Sequence, residues 1–226
     1  MPARHVRGVV AAAEEIMSDL QLTALLCSRL CHDLIGPIGA LNNGIEILAD
    51  EEDPEMLAQA TELLGESAVE AAKRLKFYRL AFGAAAGMGQ SVGTGEAREA
   101  AAGIYEKGRI SLDWPPSRDG ETSFGKPAAK LLLNLVLVAA SSLPRGGTIA
   151  VSSGNGGRNY VLAAAGPGAR LEPEIQATLT NKLSEVLLDT HNVVARHAAV
   201  LAAASGAKIG LDLSAEGTVR LLLELS

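Results

Sequence analysis

Between Ser18 and Ala49 the apolar residues Ala24, Cys27, Cys31, Leu34, Ile38, Leu41, Ile45 and Leu48 recur at alternating intervals of three and four. That is the spacing of a heptad seam on a long helix. The acidic run Asp50-Glu51-Glu52-Asp53 breaks it, and Pro54 follows, a residue suited to the first position of a new helix. From Glu55 to about Phe82 the set Leu57, Ala60, Leu64, Ala68, Ala71, Leu75 and Tyr78 keeps helical spacing again. So short a connection makes the two helices antiparallel neighbours. One hairpin cannot cover two long apolar seams alone, so two copies are expected to pair as a homodimer with a four-helix bundle.

The chain has 226 residues, 48% of them hydrophobic and 3% aromatic, enough for one large domain or two small ones with real cores. A formal charge of −6 argues against nucleic acid as a partner, because phosphate backbones are held by clustered Lys and Arg. Proteins or small molecules fit better. The two cysteines, Cys27 and Cys31, lie one helical turn apart, where a disulfide would be strained, and neither a second Cys pair nor clustered His completes a metal site. They are expected to be buried, reduced thiols. The run from Val9 to Ala13 ends at Glu14-Glu15, too soon for a signal sequence, and no segment reads as long and apolar enough to span a bilayer. The expected location is cytoplasmic, with no membrane partner.

Gly83 to Gly95 is rich in glycine and small residues, which reads as a linker. It divides a helical domain, residues 1–86, from a mixed domain, residues 95–226. In the latter the pattern predicts helices near Glu96–Lys107, Pro127–Ser142 and Asn192–Ser205, and a strand near Arg109–Trp114. Two strands, Thr148–Ser153 and Tyr160–Ala165, should flank the turn at 154–157, and two more should follow at Lys208–Leu213 and Val219–Leu225. The second half is therefore read as α+β, with helices on one face of a mostly antiparallel sheet.

His32 follows the seam residue Cys31 by one position, so it turns about 100° from the seam and should reach solvent. A neutral imidazole is a competent nucleophile that can carry a phosphoryl group on nitrogen, and Asp33 could orient the ring or accept its proton. His32, Gly36, Gly39, Ala40 and Asn43 form one stripe almost bare of side chains. Glycine costs about 1 kcal/mol and proline about 3 kcal/mol inside a helix, so Gly36, Pro37, Gly39 and Gly44 carry several kcal/mol that need a cause. Either close helix packing or a landing strip for a partner would supply one. Counting back through the turn places Ala71 level with His32, which brings the cations Lys73, Arg74, Lys76 and Arg79 near. They could attract an acidic partner, or simply form a solvated face near a helix C-terminus.

The run His32-Asp33-Leu34-Ile35-Gly36-Pro37 resembles the H-box of sensor histidine kinases, and the second half resembles their ATP-binding domain. More specifically, Leu26 to Asp33, Asn42-Asn43-Gly44 and Arg74 to Gly83 resemble the ChpT-type histidine phosphotransferases of alphaproteobacteria, over almost the whole chain. The resemblance implies a hairpin that forms a four-helix bundle in a dimer, followed by an α/β sandwich like a degenerate kinase ATPase domain. It implies that His32 takes a phosphoryl group from a receiver aspartate of a hybrid kinase and passes it to receivers of response regulators, with magnesium held by the receiver and no cofactor held by this chain. Catalysis then falls to His32 and Asp33, and docking to Arg29, Gly36, Gly39, Asn43, Lys73 and Lys76. Gly36 stands where bifunctional kinases place Thr or Asn, so little phosphatase activity is expected.

Three departures from the kinase pattern bear on ATP. Val138 occupies the position of the magnesium-binding asparagine, and valine offers magnesium no oxygen. Ala164 replaces the adenine-contacting aspartate of the Asp-x-Gly-x-Gly box, in Ala164-Ala165-Gly166-Pro167-Gly168. No glycine-rich phosphate loop precedes the helix near Asn192. Two other readings remain, an active ATP-dependent histidine kinase and a non-catalytic dimeric adaptor. Trp114, His5, His191 and His197 are read as structural or surface residues.

Overall fold

In the computed structural model, structure is described for residues 2–83, 91–116, 123–180 and 187–226, with side chains throughout these ranges except at 2–16, 91–92 and 123–126. Most of the glycine-rich linker, residues 84–90, lies outside the described residues.

The first helix, α1, runs from Pro2 to Asp50 with Pro37 inside it, and α2 runs from Pro54 to Ala81. Between them Asp53 caps α2: its carboxylate accepts the backbone N–H of Glu55 at 2.9 Å, and Pro54 begins the helix where no N–H is needed. The hairpin closes along Leu34, Pro37, Leu41 and Gly44 of α1 and Leu57, Ala60, Leu64, Ser67 and Ala71 of α2, which are buried or half-buried. Gly44 is where the helices approach most tightly, since a Cβ there would lie 2.8 Å from Leu64 Cγ.

Much of the predicted seam of α1 points elsewhere. Ala24, Cys27, Cys31, Ile38, Ile45 and Leu48 are exposed in the single chain, so the expectation that both cysteines are buried fails here. The apolar residues of α1 are shared between two faces, and α2 and α6 cover the one running through Leu22, Leu26, Leu30, Pro37 and Leu41. For the same reason α1 from Met17 to Asp50 is long and apolar enough, by length and composition, to cross a bilayer, contrary to expectation.

Beyond the linker come β1 (Ser91–Gly93), α3 (Thr94–Ile104), β2 (Ile110–Asp113), β3 (Ser123–Gly125), α4 (Lys126–Ser141), β4 (Gly147–Gly154), β5 (Asn159–Ala165), α5 (Pro173–Leu179), α6 (Val193–Ser205), β6 (Lys208–Asp212) and β7 (Thr218–Glu224). Strands β2, β4, β5, β7 and β6 form one sheet in that order. The β2–β4 pair is parallel, joined through α4, and the other pairs are antiparallel. The β4–β5 turn needs positive φ at Asn155, Gly156 and Gly157 in succession (52°, 62° and 81°), which its Asn-Gly-Gly sequence supplies. Helix α4 lies on β4, β5 and β7, and α6 lies beside it. Leu131, Leu132, Leu135 and Val136 pack with Ile149, Leu162, Leu221 and Val193 in the main core.

A second, smaller core joins the two halves. Phe77, Tyr78 and Ala81 at the end of α2 pack with Ala97, Ala100 and Ala101 of α3 and Leu133 of α4. Beside it the buried Asn134 amide donates to the carbonyls of Ala81 (3.0 Å) and Lys130 (2.8 Å), and its oxygen lies 3.2 Å from His197 Nδ1 on α6. Asn134 thereby satisfies an open carbonyl at the α2 C-terminus.

Burial, followed by the positive charge of Lys130, pushes the His197 imidazole down from 6.5 to about 4. The folded protein therefore holds this ring neutral while the unfolded chain lets it charge. The stability it supports is complete above pH 6.5 and is lost as pH falls towards 4. Thermal unfolding from pH 7.5 down to pH 4 should show a progressive fall that is smaller in His197→Gln; equal pH dependence in the two proteins would contradict this.

Candidate phosphotransfer site

His32 sits midway along α1 with its side chain 84% exposed, whereas the neighbouring Asp33 carboxylate is only 12% exposed and faces α2. Asp33 gathers three donors. His32 Nδ1 lies 3.1 Å from Oδ1, Arg29 Nε donates to Oδ2 at 3.0 Å from one turn earlier, and the Tyr78 hydroxyl donates to Oδ2 from across the hairpin. Burial acts to raise the Asp33 carboxyl, but the hydrogen bonds from Tyr78 and His32 and the Arg29 charge outweigh it, leaving the group below its ordinary value. It is therefore a carboxylate, and a carboxylate only accepts hydrogen bonds. His32 Nδ1 must carry the proton, which leaves the lone pair on Nε2, facing away from Asp33 into solvent. Burial and the bond to Asp33 push the Tyr78 phenol far above its usual range, so it remains a donor.

Below the ring, Gly36 and Gly39 are exposed, and a Cβ on either would meet nothing within 4 Å. Close packing within the chain thus accounts for Gly44 but not for these two. His32, Gly36 and Ala40 line one wall of a groove of about 850 Å³; Leu63, Glu70 and Arg74 line the second, and Ile104 and Lys107 close its end. Asn43 is exposed one turn further along.

Of the basic group expected near His32, Lys73 and Arg74 line this groove, but as members of ion pairs. Lys73 pairs with Glu106 and Arg74 with Glu70, while Lys76 lies 3.8 Å from Glu99. Lys73 and Lys76 therefore tie α2 to α3 and its following loop rather than standing as unopposed charge. These surface pairs contribute little stability, but with Lys107–Glu66 they link α2 to α3 and the segment after it, beside the groove. The residue that meets Asp33 on α2 is Tyr78, two turns beyond Ala71. By spacing Tyr78 is a seam residue of α2, and it lies within the Arg74 to Gly83 run that carries the family resemblance. Its signal was available, because a buried tyrosine needs a partner for its hydroxyl.

The profile of the histidine phosphotransferase C-terminal domain matches residues 94–217. Protein phosphotransferase ChpT of Brucella abortus (strain 2308) is 35% identical over 205 residues, covering 90% of this chain and 95% of that protein. A solved bacterial phosphotransferase superposes with a TM-score of 0.77 at 33% identity, covering 91% of this chain and 96% of that one. The helical hairpin and the α/β domain together thus make this a histidine phosphotransferase of the phosphorelay type. The chain belongs to the ChpT-type histidine phosphotransferases.

Two outcomes follow from the site geometry. Gly39→Ala should raise stability by about 1 kcal/mol because the methyl meets nothing and alanine favours the helix. Gly44→Ala should show no such gain, since Leu64 must move; urea unfolding of both variants checks the contrast. Separately, the depressed Asp33 carboxyl stabilises the fold above its ordinary value of 3.8, and this contribution is lost as pH falls through the lower folded value. The stability deficit of Asp33→Asn should therefore be full at pH 7 and shrink below pH 3.8; a deficit that does not change with pH would contradict this.

Proposed function

We propose that His32 Nε2 is the atom that receives and returns the phosphoryl group, moving it between receiver domains without ATP. The observation that carries this reading is the exposed imidazole whose Nδ1 is committed to Asp33. In the forward step the Nε2 lone pair attacks the phosphorus of an aspartyl phosphate. The P–O bond to the donor carboxylate breaks, and its electron pair stays on that carboxylate. The positive charge this places on the ring is balanced by Asp33 through Nδ1–H. In the second step a carboxylate oxygen of another receiver attacks the same phosphorus, the P–N bond breaks, and its electron pair returns to Nε2. No proton needs to leave the ring in either direction, so Asp33 serves as orienter and counter-charge rather than as a base. Magnesium belongs to the receiver in this reading, and this chain contributes the nucleophile and a docking face.

Docking is assigned to the exposed strip of His32, Gly36 and Gly39 beside the groove, with Asn43 and Arg29 at its flanks. Open space above the two glycines lets another backbone come close to Nε2. The ion pairs of Lys73 and Lys76 change their assigned part, which becomes linking α2 to α3 and the segment after it.

Independence of ATP is supported by two side chains of the main core. Val138 and Ala164 are both almost wholly buried among apolar neighbours, where a kinase would present an amide and a carboxylate to nucleotide and magnesium. The other face of α1, with Cys27, Cys31, Ile38, Ile45 and Leu48 exposed, supports pairing of two copies into a four-helix bundle. In this reading the apolar surplus of α1 serves a protein seam, in a cytoplasmic protein, rather than lipid.

Radiolabel should pass from a phosphorylated receiver domain to the wild-type chain and fail to pass to His32→Gln, at least about 10³-fold slower given the loss of the nucleophile. Labelled ATP with magnesium should leave both proteins unlabelled. Label on the wild type from ATP alone would reinstate the kinase reading, and binding of receivers without transfer would favour the adaptor.

A further inference from the structure

Asp33 can fix the His32 ring only as firmly as it is itself fixed. Of its three partners, His32 is the group being held, and Arg29 rides on the same helix with its side chain 36% exposed. Tyr78 is the one described partner that reaches Asp33 from another element. It is also the best anchored, being 3% exposed, with its ring stacked on Phe82 (centroids 5.2 Å apart, 27° between planes) and edge-on to Phe77 at 5.5 Å.

That anchorage is backed by the C-terminal half. Phe82 meets the His197 ring of α6 edge-on at 5.7 Å, and His197 is bonded to Asn134 of α4. The Asn134 amide in turn holds the carbonyl of Ala81, the residue before Phe82. On the other side Ala97 and Ala101 of α3 and Leu133 close around Phe77 and Tyr78. Phe77 fills the same small core with no hydroxyl, so packing alone does not account for a phenol at position 78. Its oxygen is aimed out of the core at a single acceptor, Asp33 Oδ2.

We infer that Tyr78 is a positioning residue for phosphotransfer, holding Asp33 so that the carboxylate fixes the Nδ1–H tautomer of His32, and that the C-terminal half serves the reaction as the wall that holds Tyr78. This rests on His32 being the phosphoryl acceptor. Without the hydroxyl, Oδ2 keeps only Arg29 and the carboxylate is free to swing with it. Oδ1 then leaves Nδ1, the neutral ring samples both tautomers, and in one of them Nε2 carries a proton and has no lone pair to attack phosphorus.

Tyr78→Phe keeps the ring and removes only the hydroxyl. At saturating phosphorylated receiver its transfer rate should fall about tenfold, in line with the cost of a misplaced reacting group, while the receiver concentration giving half-maximal rate stays within about twofold because the docking face is untouched. Nitrogen-15 NMR of the unphosphorylated protein, at a pH where the ring is neutral, should report a protonated Nδ1 in the wild type and a mixture of tautomers in Tyr78→Phe. A wild-type rate, or a slower rate with an unchanged tautomer signature, overturns the inference. Should Tyr78→Phe fail to fold, Phe82→Leu keeps the hydroxyl but weakens its wall, and must move rate and tautomer in the same direction or the inference fails. His32→Gln separates the two levels. If it still accepts label the acceptor reading itself fails; if it is inert while Tyr78→Phe matches wild type, only the present inference fails.

Discussion

The hydrogen bond between His32 Nδ1 and Asp33 Oδ1 is the interaction on which the rest of the site depends. An imidazole on an exposed helix face has two nitrogens, two neutral tautomers and free rotation, and none of these favours attack from one particular atom. A carboxylate beside one nitrogen removes the ambiguity, because it cannot donate and so must be donated to. That carboxylate must stay ionised while mostly covered by the hairpin, which the Tyr78 hydroxyl and the Arg29 guanidinium make possible. The imidazole stands in solvent and the carboxylate that orients it stands at the edge of the core.

Around this bond the hairpin divides its surfaces. One face of α1 is spent on α2 and α6, and Gly44 is the point where a side chain would obstruct that contact. A second face carries exposed Ile, Leu and Cys residues suited to another copy of the chain. Between them runs the strip of His32, Gly36 and Gly39, where helix propensity has been given up and no described residue packs against the two glycines. Under the proposed function this helix serves its own fold, a second copy and a visiting receiver, which leaves few positions for ordinary helix formers and accounts for a cost of several kcal/mol.

Much of this was legible in the residues. The hairpin, its acidic break, the α3, α4 and α6 helices and all five strands of the main sheet follow from periodicity and turn chemistry, because each is long enough to repeat its pattern or is bounded by a turn such as Asn155-Gly156-Gly157. The short elements β1, β3 and α5 were not, since three to seven residues hold too little period to count. The exposure of His32 was expected from its offset from Cys31, but Cys31 is itself exposed in the single chain, so that offset alone does not explain it. The assignment of faces was less accessible: α1 has apolar residues on two sides, and sequence alone does not say which side α2 takes. Tyr78 and the pairing of Lys73 with Glu106 depend on contacts across 45 and 33 residues, which no local pattern encodes.

The account as a whole stands or falls on which atom carries the phosphoryl group. Phosphorus-31 and nitrogen-15 NMR of the wild-type chain, phosphorylated by a receiver domain, reads that atom through the one-bond coupling between phosphorus and nitrogen. The geometry requires the phosphoryl group on Nε2 of His32, with Nδ1 still protonated and bonded to Asp33. Phosphoryl found on Nδ1, or on any other residue, would contradict it.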